Sequence, residues 1–118
     1  MKNIVKKDQK EVKDWMEACQ ARIDEYMEKS GYAPLQAKKI SIVGGRRYIK
    51  VVAKSYIMSQ EGEYRENGCS VWAFIDAING DIRKPASWKA PAKHARGNLF
   101  DESKGQSWMT AYGPQYLR

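Results

Sequence analysis

Metal-binding and redox-active side chains are scarce in this chain: 118 residues carry two cysteines, Cys19 and Cys69, and one histidine, His94. A tetrahedral zinc site draws four Cys or His ligands, and these three residues cannot furnish that set. No metal or other cofactor is therefore expected. The two thiols lie fifty residues apart without a C-x-x-C spacing, and a cytoplasmic setting favours free thiols over a disulfide. Both read as core filler, Cys19 within an apolar stripe and Cys69 at the start of a largely apolar strand. Long apolar runs are also missing, which excludes a membrane-spanning helix, and the start Met1–Lys7 lacks the apolar stretch of a secretory signal. Neither G-x-G-x-x-G nor G-x-x-x-x-G-K-[ST] occurs, so no nucleotide-phosphate loop is indicated.

What is abundant is positive charge, and it is segregated. The formal net charge is +7. Residues 8–28 hold seven acids against Lys10, Lys13 and Arg22, a net −4. Residues 29–60 carry Lys29, Lys38, Lys39, Arg46, Arg47, Lys50 and Lys54 without an acid, and residues 82–100 carry Arg83, Lys84, Lys89, Lys93 and Arg96 likewise. Such an arrangement builds a field of one sign over part of a surface, which attracts polyanions.

Length and patterning fit one α+β domain over 1–118. Val12, Trp15, Met16, Cys19, Ile23, Tyr26 and Met27 recur at helical spacing, predicting an amphipathic helix over 7–29 capped by Asp8 with Glu11 three residues on. Ser30-Gly31 stops it. An antiparallel sheet of about four strands is predicted over 39–86: Lys39–Val43, a Gly44-Gly45 hairpin, Arg46–Ile57, a polar loop over 59–68 turning at Asn67-Gly68, Val71–Ile75, a turn at Asn79-Gly80, and Ile82–Ala86. Val71–Ile75, apolar on both faces, is the central strand. Within 87–118, Pro91 and Gly97 bracket a short helix, followed by an irregular tail. Trp108, Met109, Tyr112, Tyr116 and Leu117 in that tail are too many large side chains for a free end, so part of it should dock on the sheet.

Nothing supports catalysis. A nucleophile needs a base held by an orienting group, and His94 sits in a basic stretch with no acid beside it, which suits a solvated or phosphate-facing residue. Asp76 and Asp81 flank a turn and read as turn caps. Binding is better supported: Tyr48, Trp88 and their neighbours interleave rings with cations, as suits single-stranded nucleic acid. The candidate contacts are Arg46, Arg47, Tyr48, Lys50, Lys54, Arg83, Lys84, Trp88, Lys89, Lys93, His94 and Arg96. Against this stands the plainer possibility of a merely solvated basic face.

The stretch Val71–Phe100, with its aromatic strand, Phe74-Ile75-Asp76, Gly80-Asp81 and Ser87-Trp88-Lys89-Ala90-Pro91-Ala92-Lys93 running on to Arg96-Gly97-Asn98, resembles a family of small uncharacterised proteins of tailed bacteriophages. The ending Tyr112–Arg118 is similar to the close of those proteins, and the resemblance extends over 46–118. It implies a phage product in the host bacterial cytoplasm and brings no catalytic residues. Three non-enzymatic expectations follow: a nucleic-acid-associated protein, a host-directed inhibitor or anti-defence factor that binds a bacterial protein, and a minor virion component. Monomer and homodimer both remain open, since an exposed strand edge can pair across a two-fold axis.

Overall fold

The computed structural model describes residues 4–115. Helix α1 spans Lys10–Lys29, and strands β1 Gln36–Gly44, β2 Tyr48–Met58, β3 Tyr64–Asp76, β4 Asp81–Pro85 and β5 Pro91–Asn98 form one antiparallel sheet in sequential order. A two-residue hairpin, β6 Met109–Thr110 with β7 Gly113–Pro114, follows. The fold is α+β, with five strands in the sheet instead of about four.

The core lies between α1 and one face of the sheet. Val12, Trp15, Cys19 and Ile23 form the buried stripe that the helical spacing predicts, and they meet Ile49, Val51, Ala53, Trp72, Ile75 and Ile82. Trp15 and Trp72 pack edge to face at 5.9 Å. The tail docks on this side too. Met109 is buried in the same core, and the Trp15 indole N–H donates to the Gly105 carbonyl at 3.1 Å. Tyr116 and Leu117 lie outside the described residues.

Five local expectations are corrected. The helix begins at Lys10 with Gln9 at the cap position, and the Gln9 carboxamide accepts the Lys6 N–H instead of capping the first turn, so Asp8 is not the cap. The predicted polar loop shortens to a turn, because Tyr64–Gly68 pairs with Ser55–Met58; cross-strand bonding along a long hairpin outweighs the low strand propensity of Glu66, Asn67 and Gly68. Asn67 forms a bulge in β3, not a turn, and Cys69 on that arm is exposed. Finally, Pro91–Asn98 is a strand. A helix fitted between Pro91 and Gly97 would be too short to persist alone, and the open edge of β4 offers the same residues a hydrogen-bonding partner.

Candidate nucleic-acid interface

Strand alternation decides which side chains leave the core. Ile49, Val51 and Ala53 turn toward α1, so Tyr48, Lys50, Val52 and Lys54 occupy the opposite face. On β3 the residue paired with Lys50 is Phe74, whose ring meets Tyr48 edge to face at 6.3 Å. The Lys50 ammonium sits 6.0 Å from the Phe74 centroid and 4.6 Å from that of Trp88, a cation between two rings.

Trp88 is held there by the β4–β5 turn. The N–H groups of Ala86 and Ser87 both donate to the Ala90 carbonyl, at 3.0 and 3.1 Å, and the Ser87 hydroxyl accepts from the N–H groups of Lys89 and Ala90. This closed turn presents Trp88 with 49% of its surface exposed. Between it and the β1–β2 turn runs an open cleft of about 330 Å³, lined by Val43, Gly44, Gly45, Arg47, Tyr48, Lys50, Phe74 and Lys89. Its lining holds three cations and no carboxylate. Gly45 shapes the rim: at φ +123° its position leaves no room for a Cβ, which would fall 1.9 Å from the Tyr48 carbonyl oxygen.

The twelve candidate contacts separate into groups. Arg47, Tyr48, Lys50, Trp88 and Lys89 converge on the cleft, and Arg46, next to Arg47 in the chain, is exposed. Arg47 is already engaged, with its guanidinium paired to Asp76 and lying 5.0 Å from the Tyr48 ring; the hydrogen bond to Asp76 raises its pKa further. Lys54, on the same face, is 3.5 Å from Glu66. Lys93 and His94 are exposed on β5, away from the cleft lining.

Arg83, Lys84 and Arg96 serve the chain itself. Arg83 donates to the carbonyls of Ala92 and Lys93, and Arg96, almost fully buried, to those of His94 and Gln115. Lys84 donates to the Pro114 carbonyl at 3.1 Å, and burial together with the charge of Arg96 lowers its pKa. Lys84 and Arg96 thereby tie the C-terminal segment to the helix side of the sheet. Sequence reasoning counted these cations without locating them, and it missed Phe74 and the glycine rim. The Phe74–Lys50 pairing was out of reach because the bulge opposite Val51 and Val52 shifts the register by one.

Among the described residues, no three His, Cys, Asp or Glu side chains cluster as metal ligands would, and no helix is long and apolar enough to cross a membrane. The profile of a family of unknown function, DUF7717, matches residues 1–113. The chain belongs to that family. DUF7717 thus takes in the acidic N-terminal helix as well as the sheet, a wider span than the resemblance over 46–118. No curated protein and no solved structure matches the chain, so membership of DUF7717 brings no activity with it.

Proposed function

We propose that this is a small non-enzymatic binding protein that engages nucleic acid through the helix-free face of its sheet. The observation that supports this most is the Lys50 ammonium held 4.6 Å over a half-exposed Trp88, beside a carboxylate-free cleft lined by Arg47 and Lys89. A base stacks on the open side of such a ring while cations follow the phosphates. The contacts we assign are Arg46, Arg47, Tyr48, Lys50, Lys54, Trp88 and Lys89, with Lys93 and His94 extending the basic surface. Arg83, Lys84 and Arg96 are left out because carbonyl oxygens of the chain already hold them. The phage resemblance supports a setting in the host bacterial cytoplasm.

The test is fluorescence anisotropy with labelled single-stranded DNA, duplex DNA and RNA at low and moderate salt. Binding should fall steeply with salt. Replacing Lys50 and Lys89 by Glu should weaken it at least about thirty-fold with the fold intact, since each lost phosphate contact is worth roughly 1 kcal/mol or more. Absence of binding to all three nucleic acids at low salt would sink the reading.

A second reading, a host-directed protein binder, is favoured by one other feature. Tyr32, Leu35, Ile57 and Tyr64 leave apolar surface exposed around the end of the β1–β2–β3 arm, where Met58 N–H donates to Leu35 and the Tyr64 hydroxyl to Pro34. Binding to a bacterial protein through this patch would persist at high salt and survive the Lys50 and Lys89 substitutions.

A further inference from the structure

A sheet leaves unpaired peptide groups along each edge, and side chains of the fold meet some of those in the five-stranded sheet. On β1, the Gln20 carboxamide donates to the Lys38 carbonyl and accepts the Ile40 N–H, both at 2.9 Å. Around β5, Arg83 of the neighbouring β4 and Arg96 donate to the carbonyls of Ala92, Lys93 and His94, and Pro91 has no N–H to offer. A third edge lies within the sheet. β4 pairs with β3 only at Phe74 and Ile75, so Tyr64–Val71 has β2 on one side and, among the described residues, no strand on the other.

The pairing fixes which of its peptide groups point outward. Met58 N–H donates to Leu35 at 2.8 Å, so Met58 turns away from β3; Ala77 N–H donates to Arg47, also at 2.8 Å, so Arg47 turns toward it. Alternation between these two ends directs the even-numbered residues of β2 away from β3, and their partners on β3 outward. Those partners are Tyr64, Glu66, Cys69 and Val71, opposite Met58, Tyr56, Lys54 and Val52. The bulge at Asn67 lengthens the middle interval, so the spacing reads the same in both directions. Laid antiparallel on itself, the segment sets Tyr64 against Val71 and Glu66 against Cys69. Every outward N–H then meets a carbonyl, and no two like charges stand opposite.

We propose that this chain forms a symmetric dimer by antiparallel pairing of the β3 segment Tyr64–Val71 with the same segment of a second copy. The two-fold axis stands normal to the sheet, so the helix-free faces of both copies lie on one side. The dimer does not depend on what those faces bind.

Analytical ultracentrifugation over a concentration series tests the pairing. The wild type should show a concentration-dependent dimer. Glu66→Pro deletes an outward N–H that the monomer leaves unpaired, so the circular dichroism should be unchanged while dimer dissociation becomes at least about ten-fold easier. Glu66→Cys supplies an independent readout. It sets a thiol opposite Cys69 of the second copy at a Cα separation of about 5.5 Å, within disulfide reach, so mild oxidation should link the copies covalently. Glu63→Cys, beyond the paired segment, should not be linked in this way. A wild type that stays monomeric up to its solubility limit, a dimer indifferent to Glu66→Pro, or equal crosslinking of the two cysteine variants would overturn the proposal.

Discussion

Arg47 and Asp76 meet as a two-pronged pair, with the guanidinium Nε and Nη2 donating to the two carboxylate oxygens at 3.1 and 3.0 Å. The partners differ in exposure: the Asp76 side chain is fully buried, whereas 52% of that of Arg47 is exposed. Removing either one therefore has unequal consequences. Arg47→Ala strands a buried carboxylate that keeps the Ile78 N–H at 2.9 Å as its remaining hydrogen bond, and should cost about 3 kcal/mol. Asp76→Asn leaves a guanidinium that water can solvate, and should cost about 1–2 kcal/mol. Urea denaturation at neutral pH compares the two, and equal losses would contradict the asymmetry.

The same pair predicts a pH dependence. Burial pushes the Asp76 carboxyl up, but the Arg47 hydrogen bond, the Ile78 N–H and the charges of Arg47 and Arg83 together hold it below its usual value. A depressed carboxylate stabilises the fold above the unfolded pKa, about 3.9, and that contribution is lost as pH falls through the lower folded value. In Arg47→Ala the burial effect dominates and the sign reverses, so acidification relieves the stranded charge. Between about pH 5 and pH 3 the gap in stability between wild type and variant should close. A gap independent of pH would show that Asp76 does not titrate as described.

Gly44 and Gly45 both hold left-handed backbone, at φ +100° and +123°, yet only one is crowded. A Cβ on Gly44 meets nothing within 4 Å, whereas one on Gly45 would collide with the Tyr48 carbonyl. Gly44→Ala should cost about 1 kcal/mol, the conformational strain alone. Gly45→Ala adds a backbone collision and should cost about 3 kcal/mol or more, while distorting the cleft beside Tyr48. Thermal denaturation ranks the two variants.

These glycines also show what the sequence makes legible. Gly44-Gly45 announces a hairpin, and the stripe from Val12 to Ile23 announces the helix, because both signals are local. The strand nature of Pro91–Asn98 is not local: it depends on the vacant edge of β4 and on Arg83 and Arg96 reaching its carbonyls. Basic composition likewise could not separate Lys50, beside Trp88 on the helix-free face, from Arg96, buried against Gln115. That difference is set by which face of the sheet each residue occupies. Two bulges in β3 make the face unreadable by counting alternate residues.

Arg96 should accordingly behave as an anchor of the fold. Arg96→Ala removes the donors to the Gln115 and His94 carbonyls from a buried position, and should cost about 2 kcal/mol and loosen Met109–Gln115. Lys93→Ala, at an exposed position of the same strand, should stay within about 0.5 kcal/mol of wild type. Hydrogen exchange reads the tail directly. If the amides of Met109 and Gln115 keep their protection in Arg96→Ala, the anchoring role is refuted.

The two thiols should differ sharply in reactivity. Cys19 is buried in the helix stripe; burial pushes its thiol up to about 12, against smaller opposing effects from the Gln106 hydrogen bond and the Arg22 charge. Thiolate is the reacting species, so at pH 8 Cys19 is both shielded and almost wholly protonated. Cys69 stands exposed on the β3 arm. An aromatic disulfide reagent at pH 8 should therefore titrate one thiol rapidly in the native protein and the second only on unfolding. Because the slow thiol reports opening of the α1–sheet core, its labelling rate should rise in Arg47→Ala in step with the lost stability. Two thiols reacting at equal rates in the native protein would place Cys19 outside the core.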